Sequence, residues 1–192
     1  MTGEVIQLST RAEWRRWLSR NHQRTQGIWL VSFKKNSGQP GIRYEEAVEE
    51  ALCFGWIDSL PKKLDDLRWQ QWYSPRKPKS VWSKINKERI ERLIASGKMR
   101  PPGLQKIEAA KADGSWTALD SAEALEIPPD LAAAFRANPP ALGYFDAFPR
   151  SVKRGLLGYL SAAKRPETRA KRIQVLVEKA AANRRAWFDR DA

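Results

Sequence analysis

Apolar positions recur at two different spacings in the first half of the chain. In TRAEWRRWLSRN (residues 10–21), Trp14, Trp17 and Leu18 share one face at helical spacing, with Thr10 as N-cap and Glu13 completing a capping box. Ile28-Trp29-Leu30-Val31-Ser32-Phe33 is dense in β-branched and aromatic residues and reads as a strand, ended by the turn formers of KKNSGQPG. YEEAVEEALCF (44–54) returns to helical spacing, with Tyr44, Ala47, Val48, Ala51 and Leu52 inward. Glu45, Glu46, Glu49 and Glu50 then fall on a solvated face. Gly55 ends that helix, Trp56–Ser59 starts a second strand, and Arg68–Tyr73 alternates as a third after the hairpin-length PKKLDD. These pieces predict a small antiparallel meander packed by helices, with Asp58 on its central stretch.

A further helix is predicted after Val81, capped by Ser80 or Ser83 and stopped at Ser96-Gly97. Wound at about 100° per residue from Trp82, it places Ile85, Leu93 and Ile90 in one apolar stripe. Lys84, Lys87, Glu88 and Glu91 take the opposite face, whereas Asn86 and Arg89 land inside the stripe beside Trp82. A buried guanidinium is costly unless paired, so Arg89 calls for an internal acid, with Asp58 foremost, or for an anionic ligand. Pro101-Pro102 opens a short helix that Asp113-Gly114 closes. Residues 114–128 read as an acidic linker, followed by helices over 129–137, 151–163 and 166–186, with a short helix or turn at 141–148. The predicted class is α+β: a small antiparallel sheet packed by helices over 1–113, the linker 114–128, and a helical C-terminal module over 129–192.

Charge changes the picture by its distribution. Of the net charge of +13, residues 76–106 hold ten Lys/Arg against two Glu and residues 150–190 hold twelve against three acids, around an acidic stretch at 112–149. Two basic blocks predict a surface that meets a polyanion: nucleic acid, anionic lipid or an acidic protein partner. Within the first block, Ser74-Pro75-Arg76-Lys77-Pro78-Lys79-Ser80 is stiffened by two prolines and carries three cations. The single cysteine, Cys53, cannot form an internal disulfide, no apolar run is long enough to span a membrane, and MTGEVIQLSTRAEW has no secretory pattern. These features predict a cytoplasmic protein. The only histidine, His22, rules out a multi-histidine metal site and reads as a contact at a helix C-terminus. No P-loop, dinucleotide fingerprint or nucleophile elbow occurs, so the chain is expected to carry no catalytic residue, no metal and no cofactor.

ALCFGWIDS (51–59), PRKPKSVWSKIN (75–86), Gly97-Lys98-Met99 and AKRPETRAKRI (163–173) resemble the bacterial YdeI/OmpD-associated, or bacteriocin-protection, family. Trp17-Leu18 with Asn21-His22, and Gly27-Ile28-Trp29-Leu30, resemble its N-terminal pattern, so the resemblance runs over nearly the whole chain. It implies resistance to antimicrobial peptides and association with an outer-membrane porin, and it carries no catalytic set. The expected function is a non-catalytic binding or stress-protection protein. Its working surface would be Trp56 and Asp58, the turn residues Arg76, Lys77 and Ser80, and Trp82, Asn86 and Arg89. Two alternatives use the same sequence: a nucleic-acid binder acting through blocks 76–106 and 150–190, and an enzyme with a small-molecule pocket at Trp56, Trp82 and Arg89.

Overall fold

The computed structural model describes residues 3–188, apart from the side chain of Asn36. Residues 1–2 and 189–192 of the expected domains, with Arg190 of the second basic block, lie outside the described residues. The chain divides into two compact units, Met1–Trp116 and Thr117–Ala192.

The first unit is α+β. It runs β1 (Glu4–Gln7), α1 (Arg11–Asn21), β2 (Ile28–Phe33), α2 (Tyr44–Cys53), β3 (Trp56–Lys63), β4 (Arg68–Pro75), α3 (Lys84–Ala95) and α4 (Pro101–Ala112). The sheet order is β1-β2-β4-β3. β4 is antiparallel to both β2, with Leu30 opposite Gln71, and β3, with Trp56 opposite Pro75. Two features correct the predicted antiparallel meander. β4 lies between β2 and β3, so Asp58 sits on an edge strand. β1, invisible to the hydrophobic pattern, pairs parallel with β2 and makes the sheet mixed. Backbone pairing with β2 holds it, with Val5 exposed and Ile6 half-buried against the core.

The core joins the sheet to the helices through Trp14, Leu18, Ile28, Leu30, Val48, Leu52, Trp56, Tyr73 and Ile90. The predicted capping box is present: Glu13 N–H donates to Thr10 Oγ1 at 3.2 Å, and Thr10 N–H to the Glu13 carboxylate at 3.0 Å. The His22 ring contacts the Ser19 carbonyl at 3.2 Å, as its place at the end of α1 predicts. The glutamate face of α2 departs from its pattern. Glu50 is 2% exposed and is paired with Arg11 Nε at 2.6 Å and Arg15 Nη1 at 2.5 Å. α1 packs on α2, so one acid of the solvated-looking face is covered by two cations one helical turn apart.

α3 also starts later than its pattern suggests. Ser83 is the N-cap, accepting from Asn86 N–H at 3.4 Å, and Trp82 precedes the helix in the chain. Helical periodicity therefore does not set the direction of Trp82. Asn86, Ile90 and Leu93 form the buried face, while Ile85, expected in the stripe, is 54% exposed. α4 opens on Pro101-Pro102 and packs so closely on the end of α2 that a Cβ at Gly103 would lie 2.4 Å from the Cys53 carbonyl oxygen. Gly55, at φ 76°, gives the left-handed turn that admits this approach.

The second unit is helical: α5 (Asp120–Glu123), α6 (Pro129–Ala137), α7 (Pro139–Ala147), α8 (Arg150–Ser161) and α9 (Pro166–Ala181). Its own core includes Leu131, Phe135, Phe145, Leu156, Leu160 and Leu176, with the Phe135 and Phe145 rings 5.1 Å apart. α9 ends at Ala181, five residues short of the predicted end. At the basic start of α9, Arg169 pairs with Asp130 and Arg172 donates to the Tyr159 carbonyl.

Candidate anion-binding site

β4 hands the chain to a turn that the sequence had marked by its prolines and cations. Arg76 N–H donates to the Gly55 carbonyl at 2.9 Å, which anchors the turn to the end of α2. Ser80 N–H closes on the Lys77 carbonyl at 3.3 Å, with Pro78 second and Lys79 third in the turn. Lys79 has φ 59°, the left-handed value that a type II turn requires at its third position and that glycine usually supplies. A lysine there carries roughly 1 kcal/mol of backbone strain.

Arg76 folds back under this turn. Its Nη1 donates to Val81 O at 2.9 Å and to Ser80 Oγ at 3.2 Å, while Ser80 Oγ donates to Lys77 O at 2.7 Å. Its guanidinium carbon lies 3.5 Å from the Trp82 ring centroid, a close cation–π contact. Trp82 in turn packs on Trp116 at 5.1 Å. Arg76 is only 4% exposed, and among the described residues it makes no ion pair. Burial pulls its pKa down to about 10, opposed only by the more distant charge of Asp58. At this site two buried N–H groups have no hydrogen-bond partner among the described residues: Arg76 Nε and the Trp82 indole Nε1, the latter on a side chain 2% exposed.

Both residues line a cavity of about 60 Å³, walled also by Lys77, Lys79, Lys106 and Ser115. One acid, Asp113, joins that wall. It accepts from Ser115 N–H at 2.9 Å, and its carboxyl is held below its usual range by Ser115 and by Lys79. Asp113 thereby ties the Lys77–Ser80 turn to the loop after α4. The cavity combines unpartnered neutral and cationic N–H donors with three ammonium groups, a donor set suited to an oxyanion.

The structure brings Arg76, Lys77, Ser80 and Trp82 together and leaves the other four expected residues elsewhere. Trp56 is in the core, where its Nε1 donates to the His22 carbonyl at 3.1 Å. Asp58 accepts from Tyr44 Oη at 2.7 Å, and Arg89 Nη1 donates to Asn86 Oδ1 at 2.9 Å. The expected Arg89–Asp58 ion pair does not form, because Tyr44 from α2 occupies the acid and Asn86, one turn earlier, receives the guanidinium. Burial followed by the bond to Asp58 pushes the Tyr44 phenol up to about 12. Lys79, Lys106 and Ser115 complete the site and were not among the eight expected site residues. Lys79 had a local signal, a lysine after proline in a turn, whereas Lys106 and Ser115 arrive only through the seating of α4.

Fold and site together define a helix-packed α+β unit with a basic cavity at the end of β4, followed by an all-helical unit. The family of a domain of unknown function (DUF8412) matches residues 6–106, and the chain belongs to that family. The family described as bacteriocin-protection, YdeI or OmpD-associated matches residues 124–183. That match covers the AKRPETRAKRI segment. It narrows the resemblance, because ALCFGWIDS and PRKPKSVWSKIN fall in the region matched by the other family. No curated protein and no solved structure matches the chain. Among the described residues, no helix is long and apolar enough to cross a membrane.

Proposed function

We propose that this protein is a non-catalytic binding protein whose first unit captures a phosphate-sized oxyanion between Arg76, Trp82 and the lysines 77, 79 and 106. Such capture would serve the protective role that the description of the second unit's family names. The observation that carries the reading is the buried guanidinium with a free Nε beside a free indole N–H. A fall in pKa from 12.5 to about 10 corresponds to roughly 3 kcal/mol against the charged form at neutral pH. A purely structural arginine would be matched by an acid, and an oxyanion in the cavity supplies that missing charge and both acceptors. The reading places the protein in the reducing cytoplasm, where the buried Cys53 thiol, pushed up by desolvation, stays protonated.

Inorganic phosphate at about 100 times its Kd is expected to raise the unfolding free energy of the first unit by about 2.7 kcal/mol. Arg76→Met should abolish that gain while changing the stability of the ligand-free protein by no more than about 1 kcal/mol. The cation–π contact it loses, up to about 2 kcal/mol, offsets the desolvation it relieves. Thermal unfolding with and without phosphate measures both quantities. A wild-type protein indifferent to phosphate, with Arg76→Met severely destabilised, would reduce Arg76 to a structural residue. Lys79→Gly gives an opposite pair of signs. It should stabilise the ligand-free protein by roughly 1 kcal/mol, by relieving the left-handed strain, and weaken phosphate binding several-fold. Unchanged affinity in Lys79→Gly would remove the lysine from the site.

A further inference from the structure

Arg76 lines a second and larger depression as well. A groove of about 500 Å³ shares Arg76, Lys77, Pro78 and Lys106 with the small cavity and continues past His22, Arg24, Gln23, Thr25 and Gln105. Its lining contains no aspartate or glutamate. Arg24 is paired with Glu4 at 2.6 Å, whereas Lys77 and Lys106, at the junction with the cavity, have no ion pair among the described residues. The two spaces differ in what they can hold. The cavity, at about 60 Å³, is far smaller than an organic-ligand pocket, admits a single small anionic group, and has its unpartnered donors close together. The groove has the volume of a small-molecule site, with amide and hydroxyl side chains for a polar body, Phe54 and Pro102 as apolar plates, and an acid-free cationic wall.

Resting on the oxyanion reading above, we infer that the ligand is an organic phosphate with a second anionic group. Its first phosphate occupies the cavity at Arg76 and Trp82, and its polar body and second anionic group lie in the groove. A single phosphate carries at most two negative charges against the four cations Arg76, Lys77, Lys79 and Lys106 and the one acid Asp113, which leaves positive charge at Lys77 and Lys106, the two lysines that also face the groove. Two anionic groups joined by a short polar body engage both spaces at once, so the second group binds at the effective concentration the linkage sets.

The test compares four probes on the full chain by calorimetric titration: inorganic phosphate, glycerol 3-phosphate, fructose 1,6-bisphosphate, and a 5′-phosphorylated single-stranded oligonucleotide. The bisphosphate is expected to bind at least tenfold more tightly than glycerol 3-phosphate. Gln105→Glu, an exposed change that places an acid in the groove alone, should erase most of that advantage and leave the affinity for inorganic phosphate within about twofold. Equal affinities for the two organic phosphates, with inorganic phosphate still binding, would overturn this inference and leave the oxyanion site standing. Failure of inorganic phosphate to bind would overturn both. An oligonucleotide that outcompetes the bisphosphate, with affinity rising with length, would replace the small molecule by a nucleic acid strand.

Discussion

Exchanging Arg11 and Arg15 together for methionine is expected to destabilise the first unit by about 3–5 kcal/mol, because it strands a buried carboxylate. Glu50 is almost wholly buried on the face of α2 that meets α1, and these two guanidiniums bond its two oxygens separately. Arg15 also donates to the Lys98 carbonyl at 2.9 Å, so the pair fastens the segment after α3 to the same helix. Adding Glu50→Met to the double variant should recover more than half of the loss, since an apolar group of similar length requires no partner. Urea unfolding followed by tryptophan fluorescence reports each variant, with Trp14 in the core of the same unit. Full retention of stability in the double variant would mean that water reaches Glu50 and that the pairing is incidental.

Gly103→Val should destabilise the same unit by about 3 kcal/mol and abolish phosphate binding together. A Cβ at this position would lie 2.4 Å from Cys53 O and 2.7 Å from Leu52 O, and these are backbone atoms that cannot rotate aside. α4 would have to move off α2, taking with it Lys106 and the loop that carries Asp113 and Ser115, which form one wall of the cavity. The coupling of the two losses is the informative part. A variant that is destabilised yet binds phosphate with wild-type affinity when folded would show that the site does not depend on the seating of α4.

Sequence periodicity by itself determined most elements of the fold: α1 with its capping box, the strand 28–33, α2, the opening of α4 by two prolines, and the helical character of the second half. Each of these depends on contacts within a few residues, such as a cap three positions away or a face repeating every turn. The Ser74–Ser80 turn was legible for the same reason, since two prolines and three cations in seven residues constrain a backbone locally. What only the tertiary structure decided depends on partners far along the chain. The parallel pairing of β1 and the insertion of β4 beside β2 are choices among strands of similar local pattern, made by hydrogen bonding and helix cover. Glu50 departed from the role its pattern suggested, whereas Arg89 stayed partly buried with Asn86 in place of the expected acid. A helix face records which side is polar, but whether that side meets water or another helix is set by packing, and α1 covers Glu50. Arg76 went the other way: a cation in a proline-rich surface turn became the most deeply buried arginine of the site, because the Lys77–Ser80 turn folds it beneath Val81 and against a tryptophan that stands outside its helix.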